Sequence, residues 1–92
     1  MTLDEFINTL NPNKYDYHTG TLVKAFEAAG HPKSDSWLFR QENKGNLIMP
    51  RSTTNYKKLN GKIGFVRELS PKMIKDIVEA FLPGGKGYYS YK

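Results

Sequence analysis

The chain of 92 residues contains no cysteine. That absence excludes disulfide scaffolds, Cys-ligated zinc, iron–sulfur clusters and thiol catalysis, and it fits a reducing compartment. Histidine is nearly as scarce, with His18 and His31 alone. Neither has catalytic or metal-ligand spacing, and Asp16 with His18 would leave a metal site incomplete. The nine acidic residues form no paired-carboxylate motif. A non-enzyme without metal or cofactor is therefore expected. Long apolar runs are missing too: the longest, at 47–50 and 63–66, fall far short of the roughly 20 residues that cross a bilayer. The first residues, Met-Thr-Leu-Asp-Glu, place acid where a signal peptide carries base, and no lipidation motif follows. The expectation is a cytoplasmic or nucleoid-associated protein with no membrane attachment.

What is present is ordinary in amount and uneven in placement. Apolar residues are 38% and charged residues 25%, the balance of one small globular domain. The net charge is +5. Residues 1–32 set Lys14 and Lys24 against Asp4, Glu5, Asp16 and Glu27, a net of −2. Residues 33–67 set Lys33, Arg40, Lys44, Arg51, Lys57, Lys58, Lys62 and Arg67 against Asp35 and Glu42, a net of +6. Residues 68–92 add +1. A cationic belt inside a folded domain is the electrostatic footprint of a nucleic-acid binder, although a solvated basic face has the same composition.

The local patterns predict helices on both sides of this belt. Thr2-Leu3-Asp4-Glu5 is a capping box, and Leu3, Phe6, Ile7 and Leu10 repeat on one helical face until Asn11-Pro12-Asn13. Tyr15 and Tyr17 are expected to pack in the following loop. A second helix is expected over 21–29, burying Leu22, Val23, Phe26 and Ala29 and stopping at Gly30. The last begins at Ser70-Pro71, buries Ile74, Ile77, Val78 and Phe81, and ends at Pro83-Gly84-Gly85. Between them, Leu47-Ile48-Met49 and Ile63-Gly64-Phe65-Val66 read as two strands, with Asn60-Gly61 a turn before the second. A polar, basic connection over 52–60 would make them a wing.

Residues 34–45 admit two readings. As a helix, Ser34 is the cap, Trp37, Leu38 and Gln41 face inward, and Gly45 is the stop. As a hairpin, 37–41 is a strand, Glu42-Asn43-Lys44-Gly45 the turn, and 46–51 the return strand.

With the helix, the chain resembles winged helix-turn-helix domains of the excisionase and MerR type. Ser34, Ser36, Leu38, Phe39, Arg40, Gly45, Leu47, Pro50 and Arg51 fall on that pattern in register. The stretch from Asn60 to Val66, followed by Leu69-Ser70-Pro71, is similar to the wing and next helix of the DNA-binding domains of phage Mu transposase and repressor. The likeness spans about residues 20–82. The turn from Gly30 to Leu38 is about two residues longer than in that family, and Phe26 stands where a small residue is usual. With the hairpin, the order becomes helix–strand–strand–strand–helix, similar to double-stranded-RNA-binding domains and HicA-like toxins. The toxins need a histidine on the first strand, where this chain has Ser36-Trp37, so nuclease activity is not implied.

The first resemblance implies an α+β, winged-helix-like domain of three to four helices and a short antiparallel sheet, binding double-stranded DNA. Lys33, Ser34 and Ser36 would meet phosphate at a helix N-terminus. Arg40 and Asn43 would reach base edges. Lys57, Lys58 and Lys62 would meet flanking phosphates from the wing, and Lys44, Arg51 and Arg67 complete the cationic set. It also implies a regulator or recombination accessory factor of phage or mobile-element type. A lone domain rarely holds a unique site tightly, so a homodimer or a partner protein is expected. Residues 1–82 are read as one domain and 83–92 as a Gly/Tyr-rich tail. That tail lacks the spacing of a phosphate loop; its tyrosines either stack on bases, pack back on the domain or self-associate. The rival reading is a protein-interaction module or inhibitor docking on a larger enzyme, in which Trp37, Phe39 and Tyr56 among basic residues are contact-forming types.

Overall fold

The computed structural model describes residues 2–57 and 63–91, with the backbone alone over 51–57 and 63–67. The element order is α1 (Leu3–Asn8), α2 (Thr19–Ala28), α3 (Asp35–Asn43), β1 (Leu47–Ile48), β2 (Arg51–Lys57), β3 (Ile63–Arg67), α4 (Pro71–Phe81) and β4 (Tyr89–Ser90). This is an α+β domain. Its Cα radius of gyration is 12.9 Å, near the roughly 12 Å typical of a folded chain this long.

Each helix starts where local chemistry satisfies its first amides. At α1 the Thr2 hydroxyl accepts from the Glu5 amide and the Glu5 carboxylate accepts from the Thr2 amide, both at 3.2 Å. Helix α2 starts two residues earlier than predicted because His18 caps it: Nδ1 accepts from the Gly20 amide at 3.0 Å. Ser70 caps α4, accepting from the Met73 amide at 3.2 Å, with Pro71 in the first turn.

The core joins α2 and α4. Leu22, Ala25 and Phe26 of α2 meet Ile74, Ile77 and Val78 of α4, together with Leu38, Leu47, Met49 and Leu69. Fully burying one such aliphatic side chain is worth about 1.5–3 kcal/mol. Leu3, Phe6, Ile7 and Leu10 lay α1 half-buried on this cluster. Val23 and Ala29, expected inside, are half-buried, and Ala25 takes the inner position. Tyr15, also expected to pack, is 66% exposed. Tyr17 orders that loop instead. Its backbone exchanges two 3.0 Å hydrogen bonds with Leu69, and its hydroxyl accepts from the Asn11 amide at 2.9 Å.

Residues 35–43 form a helix, so the hairpin reading, with the strand order of double-stranded-RNA-binding domains and HicA-like toxins, does not hold. Strands form at both expected places, 47–48 and 63–67, but they do not pair with each other. Strand β1 pairs in parallel with β4, Leu47 with Tyr89 and Ile48 with Ser90, and not with residues 63–66. The partner of β3 is β2, antiparallel, in the stretch expected as a loop. Pro50 separates β1 from β2. The Ser-Thr-Thr-Asn-Tyr run that follows is polar, but Thr and Tyr are strong strand formers. The predicted Asn60-Gly61 turn lies outside the described residues.

Candidate nucleic-acid interface

Helix α3 carries Ser36, Arg40 and Asn43 of the expected interface. Its N-cap is Ser34, whose hydroxyl accepts from the Trp37 amide at 3.2 Å. Its stop is Gly45, at φ 78°, a conformation costly for any residue with a Cβ. What holds α3 to the domain is an aromatic stack through Trp37. That ring meets Phe26 of α2 edge-on at 5.6 Å between centroids and Phe81 of α4 at 5.2 Å. Such pairs add about 0.5–1.5 kcal/mol each beyond area burial. The large Phe26, unusual for the resemblance, is thus the partner the Trp37 edge requires. Leu38 is buried beside it.

With Trp37, Leu38 and Gln41 turned inward, the helical period sends other residues out. At roughly 100° per residue, Ser36, Arg40 and Asn43 fall within an arc of about 60°, flanked by Phe39 and Lys44. All five are exposed. No carboxylate lies on that stripe: Asp35 is in the first turn on another side, and Glu42 is half-buried. Among the described residues, ion pairs join Lys14 to Asp16 at 2.8 Å, and Lys75 to Asp4 at 3.3 Å and to Glu79 at 3.9 Å. The Lys14 ammonium holds the exposed Asp16 carboxyl below its ordinary value.

The other expected contacts divide. Lys33 is half-buried with its ammonium 4.8 Å from the Trp37 ring centroid, a cation–π contact on the flank of α3. Asp35 puts a carboxylate in the turn that Lys33, Ser34 and Ser36 were expected to offer to a phosphate, which opposes an anion there. Arg51, Lys57 and Arg67 fall on the antiparallel hairpin, where the register sets Arg51 opposite Arg67 and Lys57 opposite Ile63. The register shifts between Arg51 and Asn55, a bulge that bends a strand. Lys58 and Lys62 lie outside the described residues.

Sequence reasoning missed the link at the far end of α3. The Asn46 amide donates to the Gln41 carbonyl at 2.9 Å, and the Asn46 side-chain amide donates to Gln41 Oε1 at 3.1 Å. The available signal was an Asn directly after the Gly45 stop. A shallow recess of about 170 Å³ lies beside this end, lined by Glu42, Leu47, Ile48 and Met49. Among the described residues no group of three or more metal-ligating side chains occurs, and no helix is long and apolar enough to cross a membrane.

Comparison with protein-family models, with curated proteins and with solved structures finds no match.

Proposed function

We propose that this protein is a small winged-helix-like domain that binds double-stranded DNA with some sequence preference, through the outward face of α3 and the β2–β3 hairpin. The observation that carries the reading is the exposed Ser36–Arg40–Asn43–Lys44 stripe, on a helix anchored by Trp37 and followed by an antiparallel hairpin. An α-helix fits the major groove, where Arg pairs with guanine and Asn with adenine. The cations of the belt, Arg51, Lys57, Lys58, Lys62 and Arg67 among them, supply the sequence-independent attraction to phosphate. Lys33 and the hydroxyls of Ser34 and Ser36 would act at the edge of the contact, and a homodimer or partner protein would supply the second half-site. Residues 1–82 hold all of these groups. A regulator or recombination accessory factor would need this chemistry and no catalytic group.

The test is a titration of labelled DNA duplex, single-stranded DNA and RNA duplex at two salt concentrations. DNA-duplex binding should weaken steeply with salt. Arg40→Ala should change sequence preference more than Lys58→Ala, which should weaken all sequences alike. Absence of binding to every nucleic acid at low salt would favour the protein-docking reading. One observation specifically supports that second reading: Phe39, Ile48, Tyr88 and Tyr91 are each more than one-third exposed, apolar area that DNA binding does not need.

A further inference from the structure

We infer that the C-terminal segment over 83–91 is a clasp that fixes the pose of α3, with Asn46 and Tyr89 as its positioning residues; its effect on DNA rests on the use of α3 proposed above. The chain leaves α4 at Leu82 and must reverse to reach β1. The reversal is built for glycine. A Cβ on Gly85 would lie 2.4 Å from the backbone oxygens of both Glu79 and Ala80, closer than atoms tolerate. The Gly85 amide donates to the Leu82 carbonyl at 2.8 Å, and the Gly87 amide donates to the Ala80 carbonyl at 2.7 Å. Gly87 takes φ 69°.

The returning strand then bonds to β1 and to the residue just before it, a few residues beyond α3. The Tyr89 amide donates to the Asn46 carbonyl at 2.8 Å, and the Tyr91 amide donates to the Ile48 carbonyl at 3.2 Å. Asn46 is the node. Its carbonyl receives the tail, while its amide and side chain both hold Gln41. Tyr89 packs half-buried against the core, whereas Lys86, Tyr88 and Tyr91 stay exposed. The tail is therefore tied down by backbone bonds and by the packing of Tyr89, and it joins the end of α4 to Asn46 and β1, which follow α3. Trp37 fixes the first half of α3; the clasp fixes the second, where Arg40, Asn43 and Lys44 stand. A reading helix loses affinity when its pose is spread over many states, because ordering must then be supplied on binding.

Tyr89→Pro removes the donor to Asn46, and Tyr89→Phe keeps it. In the full-length chain, Tyr89→Pro should speed amide exchange over residues 40–48 at least tenfold while the Ile77 and Val78 amides stay as protected as before. DNA-duplex affinity should fall about tenfold with an unchanged salt slope, and Tyr89→Phe should match the unsubstituted protein. Equal loosening of α4, unaltered exchange over 40–48, or unchanged affinity despite faster exchange would overturn the clasp as a positioning device. Should Tyr89→Pro not fold, exchange in the unsubstituted protein under mild denaturant decides. The Asn46, Tyr89 and Tyr91 amides should then open together, before α4, and separate opening of the three would overturn the inference. A protein that shows this exchange pattern but binds no duplex would refute the DNA reading and leave the clasp standing.

Discussion

Helices α3 and α4 are each capped by a serine that bonds the third residue along, yet their residues serve different ends. Helix α4 buries Pro71, Ile74, Ile77 and Val78; α3 buries Leu38 and leaves most of its length in water. A helix with one buried residue is poorly supported by burial, and isolated helices this short do not persist in water. Helix α3 survives because Trp37 lies between Phe26 and Phe81 and because Asn46 ties its end down. The difference teaches which helix carries stability: α4 can be altered to change it, whereas the outer stripe of α3, the surface proposed for DNA, lies outside the core.

The strongest way to break that contrast is in the core. Ile77→Ala should destabilise the domain by about 2–5 kcal/mol, measured by urea unfolding, while its folded fraction binds DNA duplex as before. A loss below about 1 kcal/mol would mean that α4 is not the stabilising helix. Arg40→Ala should do the reverse. We expect a stability change within about 0.5 kcal/mol and a loss of about 1–3 kcal/mol in discrimination between preferred and altered duplexes, read by competition titration. Ser70→Ala and Ser34→Ala each delete one N-cap bond and should each cost about 1 kcal/mol in thermal unfolding. Only Ser34→Ala should also weaken duplex binding, since it frays the helix that carries Arg40.

The smallest effect concerns α1 and pH. The bonds from the Thr2 amide and hydroxyl lower the Glu5 carboxyl below its ordinary value of 4.5. A depressed carboxyl contributes stability above its unfolded value, and that stability disappears as pH falls through the folded one. Acidification well below the ordinary value of 4.5 should therefore fray α1 while α4 holds. Carboxyl titration by NMR beside the α1 amide shifts would show this, and Glu5→Gln should remove the part of their pH dependence that follows the Glu5 carboxyl.

The contrast between the two helices also explains what was legible in the sequence. Helix α4 was, because Ser70, Pro71 and the spacing of Ile74, Ile77 and Val78 agree locally. Helix α3 is ambiguous, because a single apolar run, Trp37-Leu38-Phe39, fits a strand as well as a helix. Its structure is decided by Phe26 and Phe81, which are distant in sequence. The strand partners were misjudged for a similar reason. Leu47-Ile48 looks apolar enough for the hairpin, but its partner is Tyr89-Ser90, 42 residues later. Glycines that allow that return were visible at 84, 85 and 87, though nothing local said where the returning chain would dock. Of the interface, the outward stripe of α3 followed from periodicity once the helix was granted. That Lys33 lies against Trp37 followed from nothing in the spacing.

The two hydrogen bonds between Tyr17 and Leu69 have a mechanical consequence. The chain leaves the hairpin at Arg67, and one bond from the Glu68 amide to the Pro50 carbonyl, at 3.2 Å, closes its base. One residue further on, Leu69 is fully buried and riveted to the N-terminal loop. The hairpin is thus a lever on a fixed fulcrum, and tilting it need not disturb the helices behind. Longer or foreign sequence grafted between β2 and β3 should be tolerated, since doubling a loop costs only about 0.6 kcal/mol. Changes at the strand pair should then leave the helical core intact.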